Sequence, residues 1–312
     1  MKKSYKLLLF LCFTLMFFIG LEKFYDFFLK ENMNIKSSYI SKNKINAKII
    51  ILGSCGPFAT ISPKEIEKYT HLKTYNLAED HVNILENYLS YSLYLENNKS
   101  PEYLIIYTSP ETFDERDNVL HSFHFSQFLD NPIICKTLKE ENPNYYRWTF
   151  IPFMKYAYYN SKFNFNVIQG IKHYIKKKPT TLQLTGYSPI ISPGTIEGKN
   201  KIHRITYKFE KKYKWSKIQE KYLLKIIKLA QSQNTKIIFY ESPHYVKSNF
   251  NFIKRAEMQK KTKKIAANFG IDYLIFDTMK LSLDKNNFLY ATAMYEEPSI
   301  QFTKVLSTYI KK

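Results

Sequence analysis

Residues 49–57 read Ile-Ile-Ile-Leu-Gly-Ser-Cys-Gly-Pro (IIILGSCGP). A saturated apolar run with no polar alternation is the pattern of a strand covered on both faces, as in a parallel sheet. The run stops at Gly53-Ser54-Cys55-Gly56, where a small side chain can be carried on a sharp turn leading into a helix. Two questions follow: whether the surrounding chain alternates as a parallel sheet requires, and whether Cys55 is a nucleophile or a remnant.

Outward from this stretch the chain does alternate. Strands are expected at 48–52, 72–77 and 103–107, with a short helix at 63–69 and a longer one at 82–95, where Val82, Leu85, Leu89 and Leu93 recur at helical spacing. Residues 114–200 break the pattern: they are aromatic, polar and rich in turn signals, and read as an irregular insertion. Alternation resumes with a helix at 216–233, a strand at 236–240, a helix at about 252–268 stopped by Gly270, a strand at 273–276 and a helix at 298–310. The expected fold is a three-layer α/β/α domain with a parallel sheet, spanning 48–312 and carrying its insertion at about 114–200.

Ahead of this domain, MKKSYK precedes an apolar run from Leu7 to Leu21. A basic flank followed by such a run marks a secretion signal or a signal anchor. Glu22, Lys23 and Phe24 supply no small-x-small cleavage site, so an uncleaved single-pass anchor over 1–23 is expected, with Lys3, Lys6 and Lys23 snorkelling to the interfaces. The charge bias puts the N-terminus in the cytoplasm and the remainder on the extracytoplasmic side of the cell membrane. Residues 24–47, polar and mixed, read as a stalk.

Composition narrows the classes further. Twenty-six Tyr and 24 Phe, against 8 Gly and 12 Pro in 312 residues, argue for a packed core rather than a long disordered region. The net charge of +20 is spread along the chain without a nucleic-acid-binding motif, and reads as a Lys-rich solvated surface suited to anionic membranes or polymers, not to nucleic acid. No Cys or His spacing suggests a metal, since the pair His121 and His124 lacks a third ligand, and no cofactor is expected. Of the three cysteines, Cys12 lies in the anchor; Cys55 and Cys135 are left open between two thiols and one bridge.

In an open parallel sheet, ligands bind beyond the carboxyl ends of the strands. That rule gathers Gly53, Ser54 and Cys55 after the first strand and Glu79, Asp80 and His81 after the second. It adds Thr108 and Ser109 after the third, and Glu241 and His244 after the fourth. Cys55 is the candidate nucleophile, with Ser54 behind it and His81 or His244 as the base, oriented by Glu79, Asp80 or Glu241. Gly53, Asp80, Ser109 and Glu241 are candidates to line the substrate or its oxyanion. The competing reading makes Cys55 a small buried residue and His81 a helix cap.

The segment 49–63, IIILGSCGPFATISP, resembles the first block of the SGNH/GDSL hydrolase superfamily, and is more closely similar to a membrane-anchored branch with sequences of the type "GSSR…INP". Further similarity lies in Tyr75-Asn76-Leu77-Ala78, in Ile151-Pro152-Phe153 with Lys155-Tyr156, in Gly186-Tyr187, and in 288–306, which resembles a final block of D-x-x-H followed by a helix. The resemblance implies a flavodoxin-like sheet, with Cys55 standing where the family has its nucleophilic Ser. It implies departures as well: Ala291 and Met294 stand where the Asp and His belong, Asp80 falls near the second block's glycine, and no Asn follows Tyr107. Ala and Met can neither take a proton nor orient an imidazole, so the Ser-His-Asp mechanism is absent on this alignment. The implied role is accessory, in acylation of cell-envelope polysaccharide or teichoic acid, beside a membrane-bound O-acyltransferase. The alternative is an esterase or acyltransferase that acts on an acyl ester through Cys55.

Overall fold

A computed structural model describes residues 2–80, 82–113, 124–157, 160–176, 181–191, 214–246, 255–290 and 293–310. The strands are β1 (Ile49–Leu52), β2 (Thr74–Asn76), β3 (Tyr103–Tyr107), β4 (Lys236–Glu241), β5 (Asp272–Ile275), β6 (Phe288–Tyr290) and β7 (Ala293–Met294). The first helices are α1 (Lys2–Glu31), α2 (Lys36–Lys42), α3 (Cys55–Thr60), α4 (Pro63–Thr70) and α5 (Ile84–Asn97). Then come α6 (Pro132–Glu141), α7 (Tyr145–Phe150), α8 (Met154–Ala157), α9 (Asn160–Ile175) and α10 (Thr181–Thr185). The last are α11 (Lys217–Ser232), α12 (Arg255–Asn268) and α13 (Glu296–Ile310).

The chain divides into two compact units: a helical unit, Met1–Asn43 with Asn118–Pro179, and a sheet unit, Lys44–Asp117 with Thr180–Lys312. In the sheet unit five parallel strands lie in the order β2-β1-β3-β4-β5. Ile50 stands between Tyr75 and Leu104, and Phe239 between Ile106 and Tyr273. Alternate residues of a strand face opposite ways. Ile49, Ile51, Ile105, Tyr107, Ile238 and Tyr240 therefore turn to one face, where they pack with Ile66 of α4 and Phe302, Leu306 and Ile310 of α13. Ile50, Leu52, Leu104, Ile106, Ile237 and Phe239 turn to the other and are equally buried. That face is covered by α5 and α11, which pack on each other while α11 rests on β4. Helices on both faces explain why these strands read as unbroken apolar runs.

Several expected bounds move. The second strand shrinks to three residues, and the helix after it is capped by Asn83 in a capping box with Glu86. His81, the other candidate base and candidate helix cap, lies outside the described residues, as do His121 and Ala291. Residues 24–47 are not an extended stalk. α1 runs on to Glu31, and α2 follows with Ser37, Ser38, Tyr39 and Ile40 buried. Nor is 114–200 irregular where it is described: it holds α6 to α10. The reason is packing. In the helical unit Leu29, Ile35, Tyr156, Phe163 and Val167 form one core, which supplies a buried partner for segments lacking a clean period of their own. Gly170 of α9 crosses α1 so closely that a methyl group there would sit 1.8 Å from the Phe28 carbonyl oxygen.

α1 is long and apolar enough to cross a membrane: Ser4–Glu31 contains an 18-residue window with a mean hydropathy of 2.1. Leu7, Phe10, Phe13, Met16 and Phe17 are among its exposed side chains.

Candidate functional site

The chain passes from β1 to β2 on one side of β1 and then returns to β3 on the other. This reversal at β1/β3 is the kind of point at which open sheets bind ligands. Gly53, Ser54 and Cys55 leave β1 there, and Thr108 and Ser109 leave β3.

Gly53 is glycine for lack of room. A Cβ would lie 2.3 Å from Pro57 Cγ and 2.8 Å from Tyr107 Cβ. Its N–H donates to Asn87 Oδ1 at 3.1 Å, so this amide is committed to α5 and does not serve an oxyanion. Its carbonyl accepts from Glu79 N–H at 3.4 Å, which brings Glu79 and exposed Asp80 to the same edge. Ser54 is the N-cap of α3, half-buried, and makes no side-chain capping bond. Cys55, the first residue of α3, is exposed. Cys12, Cys55 and Cys135 are all thiols, and no disulfide joins them.

The turn is held from three sides. Asn76, fully buried at the end of β2, donates from Nδ2 to the carbonyls of Pro57 (2.8 Å) and Ile61 (3.2 Å), and its Oδ1 accepts from Ala78 N–H at 3.0 Å. Thr303 of α13 accepts the Ser62 N–H at 3.2 Å and lies 3.2 Å from the Thr60 carbonyl. The segment after α10 closes the third side. Gly186, at φ +71°, approaches β2 so closely that a Cβ would meet the Asn76 carbonyl oxygen at 1.9 Å. Ser188 N–H then donates to Phe58 of α3, and Glu296 N–H to Ile190. Tyr187, in the same segment, has a buried hydroxyl with no hydrogen-bond partner; burial first, and the charge of Glu296 second, raise its phenol well above its ordinary range.

The expected catalytic partners fare unevenly. Met294 is fully buried in the core with Ile61, Tyr107 and Phe302, and β7 packs against α3. The position expected to have lost an imidazole thus adjoins the helix that begins at Cys55, and its thioether fills the core. Ser109 is buried, its carbonyl accepting from Thr112 N–H at 2.9 Å. Glu241 is not a substrate-facing carboxylate. It is fully buried and receives Arg255 Nη2 at 2.6 Å, Gln259 Nε2 at 3.0 Å and the Tyr273 hydroxyl. Burial and the Glu241 charge together hold the Tyr273 phenol far above its usual range. His244 is half-buried three residues beyond β4, which is two strands from β1, roughly 10 Å across the sheet.

Asn76, Gly186, Tyr187 and Thr303 shape the turn more than the residues singled out by their chemistry. The signal for Asn76 was in the sequence: Asn is disfavoured in a buried strand unless its amide is bonded. Among the described residues no group of three or more His, Cys, Asp or Glu side chains is arranged to hold a metal ion. No family model matches this chain, and no curated protein matches it.

Proposed function

We propose that this chain is a membrane-anchored, extracytoplasmic SGNH-hydrolase-like protein without the Ser-His-Asp triad, serving as an accessory in acylation of cell-envelope polysaccharide. The observation that carries the reading is Met294, a buried thioether on a strand that packs against the helix of Cys55. A side chain that neither takes a proton nor reaches solvent supports binding rather than turnover at this edge. The strand order β2-β1-β3-β4-β5, which is the flavodoxin-like order, supports the family assignment. The apolar, exposed α1 supports the anchor.

Exposed Cys55 favours one second reading, acyl transfer through a thioester with His244 or His81 as base. One experiment tests both. The full chain in detergent is given p-nitrophenyl acetate, and separately an acetylated polysaccharide immobilised on beads. The accessory reading expects retention on the beads, and ester turnover no faster than that of Cys55→Ala. Turnover lost in Cys55→Ala, with an acetyl group found on Cys55 in the parent, would replace it by the thiol reading.

A further inference from the structure

The apolar run from Leu7 to Leu21 has 15 residues, or about 22 Å of helix, against a hydrocarbon thickness of about 30 Å. Taken alone it is short. α1 nevertheless continues without a break to Glu31, and the side chains after Leu21 are sorted by face. Phe24 and Phe27 are each 45% exposed. Glu22 and Asp26, one turn apart, point instead at Lys155, whose ammonium lies 3.0 Å from one carboxylate and 2.8 Å from the other. The Lys155 side chain is only 4% exposed. Two neutral donors complete the set: Phe153 N–H to Glu22 at 2.6 Å, and the Tyr156 hydroxyl to Asp26. Phe153 holds φ at +67°, a rare conformation for a bulky residue, in the position from which its amide meets Glu22.

The effect is that the two acids closest to the apolar run turn into the protein, where they share one ammonium and two neutral donors, while aromatic rings remain outside. Lys23, the exposed exception, has a stem that can carry its charge to water. The segment that supplies the pocket is itself apolar on its outer side. The Phe153 ring lies 6.3 Å from that of Phe18, a residue of the apolar run, so this segment reaches the level of the run. Phe150 is 75% exposed and Ile151 47%, and Tyr146 stacks on Phe150.

We infer that the Glu22–Asp26–Lys155 cluster lets the bilayer boundary extend along α1 to Phe27, and that Phe150, Ile151 and Phe153 lie in the lipid interface as a second membrane contact. The occupant of this apolar rim is the lipid surface, because the rim is continuous with the anchor helix. Charged groups are costly near hydrocarbon unless held by partners within the protein, and here the two carboxylates share an ammonium, a backbone amide and a phenol. Aromatic rings at this depth act as interfacial anchors.

This inference rests on α1 being a membrane anchor, and the test separates the two. Full-length Phe150→Trp is reconstituted in phosphatidylcholine–phosphatidylglycerol vesicles, with the parent chain as the background for Trp148 and Trp215. Flotation of the vesicles reports the anchor. The added tryptophan should lose about half its emission when the lipids are brominated near the headgroup end of the acyl chain, as expected for a side chain sunk ~5–10 Å into the interface. Ile151→Trp, at the neighbouring exposed position, repeats the measurement should the first variant be misfolded. A chain that floats with the vesicles while the added tryptophan ignores bromine and is quenched by aqueous acrylamide overturns the interfacial contact and leaves the anchor standing. A chain that does not float overturns both.

Discussion

Tyr240 sits at the middle of the core beneath the candidate site, fully buried, its ring 5.5 Å from that of Tyr107 and 6.2 Å from that of Phe302. Its hydroxyl has no hydrogen-bond partner, and burial holds the phenol well above its ordinary range. An unpartnered buried hydroxyl loses its bonds to water and gains none in return, a cost of about 1–3 kcal/mol. Tyr240→Phe removes the cost and keeps the ring contacts. The variant is expected to be more stable than the parent by about 1 kcal/mol, read as a higher urea midpoint with an unchanged slope. A lower midpoint would mean that the hydroxyl is bonded in solution. Gly53 shows the opposite case at the same scale: its lack of a side chain is forced by Pro57 and Tyr107, so the glycine of this turn has a packing reason independent of any chemistry.

At the scale of elements, β4 and β5 are tied to α12 by a buried charge. Glu241 at the end of β4 takes Arg255 and Gln259 from α12 and the Tyr273 hydroxyl from β5, and Asp277 stands 3.9 Å from the same guanidinium. A charge pair of this kind is worth little against a well-packed apolar replacement, but removing one partner strands the other. Arg255→Met is therefore expected to destabilise the protein by about 3–5 kcal/mol, while the double variant Arg255→Met with Glu241→Gln recovers a substantial part of the loss. Thermal unfolding of the parent, Arg255→Met, Glu241→Gln and the double variant measures this, and additivity of the two substitutions would exclude a coupled pair. The same cluster shows why Glu241 misled the sequence reading. Its place after an apolar strand is that of a substrate-facing acid, and its true partners arrive from residues 14 to 32 positions further on. The strands themselves were legible, because burial on both faces leaves an unbroken apolar run that needs no knowledge of a partner. α6 to α9 were not, because their apolar faces are set by α1 and by one another rather than by a local period.

At the scale of the whole molecule, the helical unit is assembled from two stretches far apart in the chain, Met1–Asn43 and Asn118–Pro179. Read locally, Glu22, Lys23 and Asp26 end an apolar run and begin a polar stalk. In three dimensions the buried Lys155, about 130 positions on, pairs with those half-buried acids while α1 continues. Lys155 is therefore one of the residues that join the two stretches. Lys155→Met keeps the length of the side chain and removes its charge, leaving two carboxylates facing each other with only the Phe153 amide and the Tyr156 hydroxyl to satisfy them. The expected loss is about 3–5 kcal/mol in the helical unit, or less where water reaches the cluster. The chain's two tryptophans fall one to each unit: Trp148 is buried on α7, and Trp215 stacks on Phe113 at 4.3 Å. With Trp215 replaced by Phe, the Trp148 transition should move to a markedly lower temperature in Lys155→Met. With Trp148 replaced instead, the Trp215 transition measures how much of that loss reaches the sheet unit. A Trp148 transition that stays where it was would show that the ion cluster adds nothing to the stability of the helical unit.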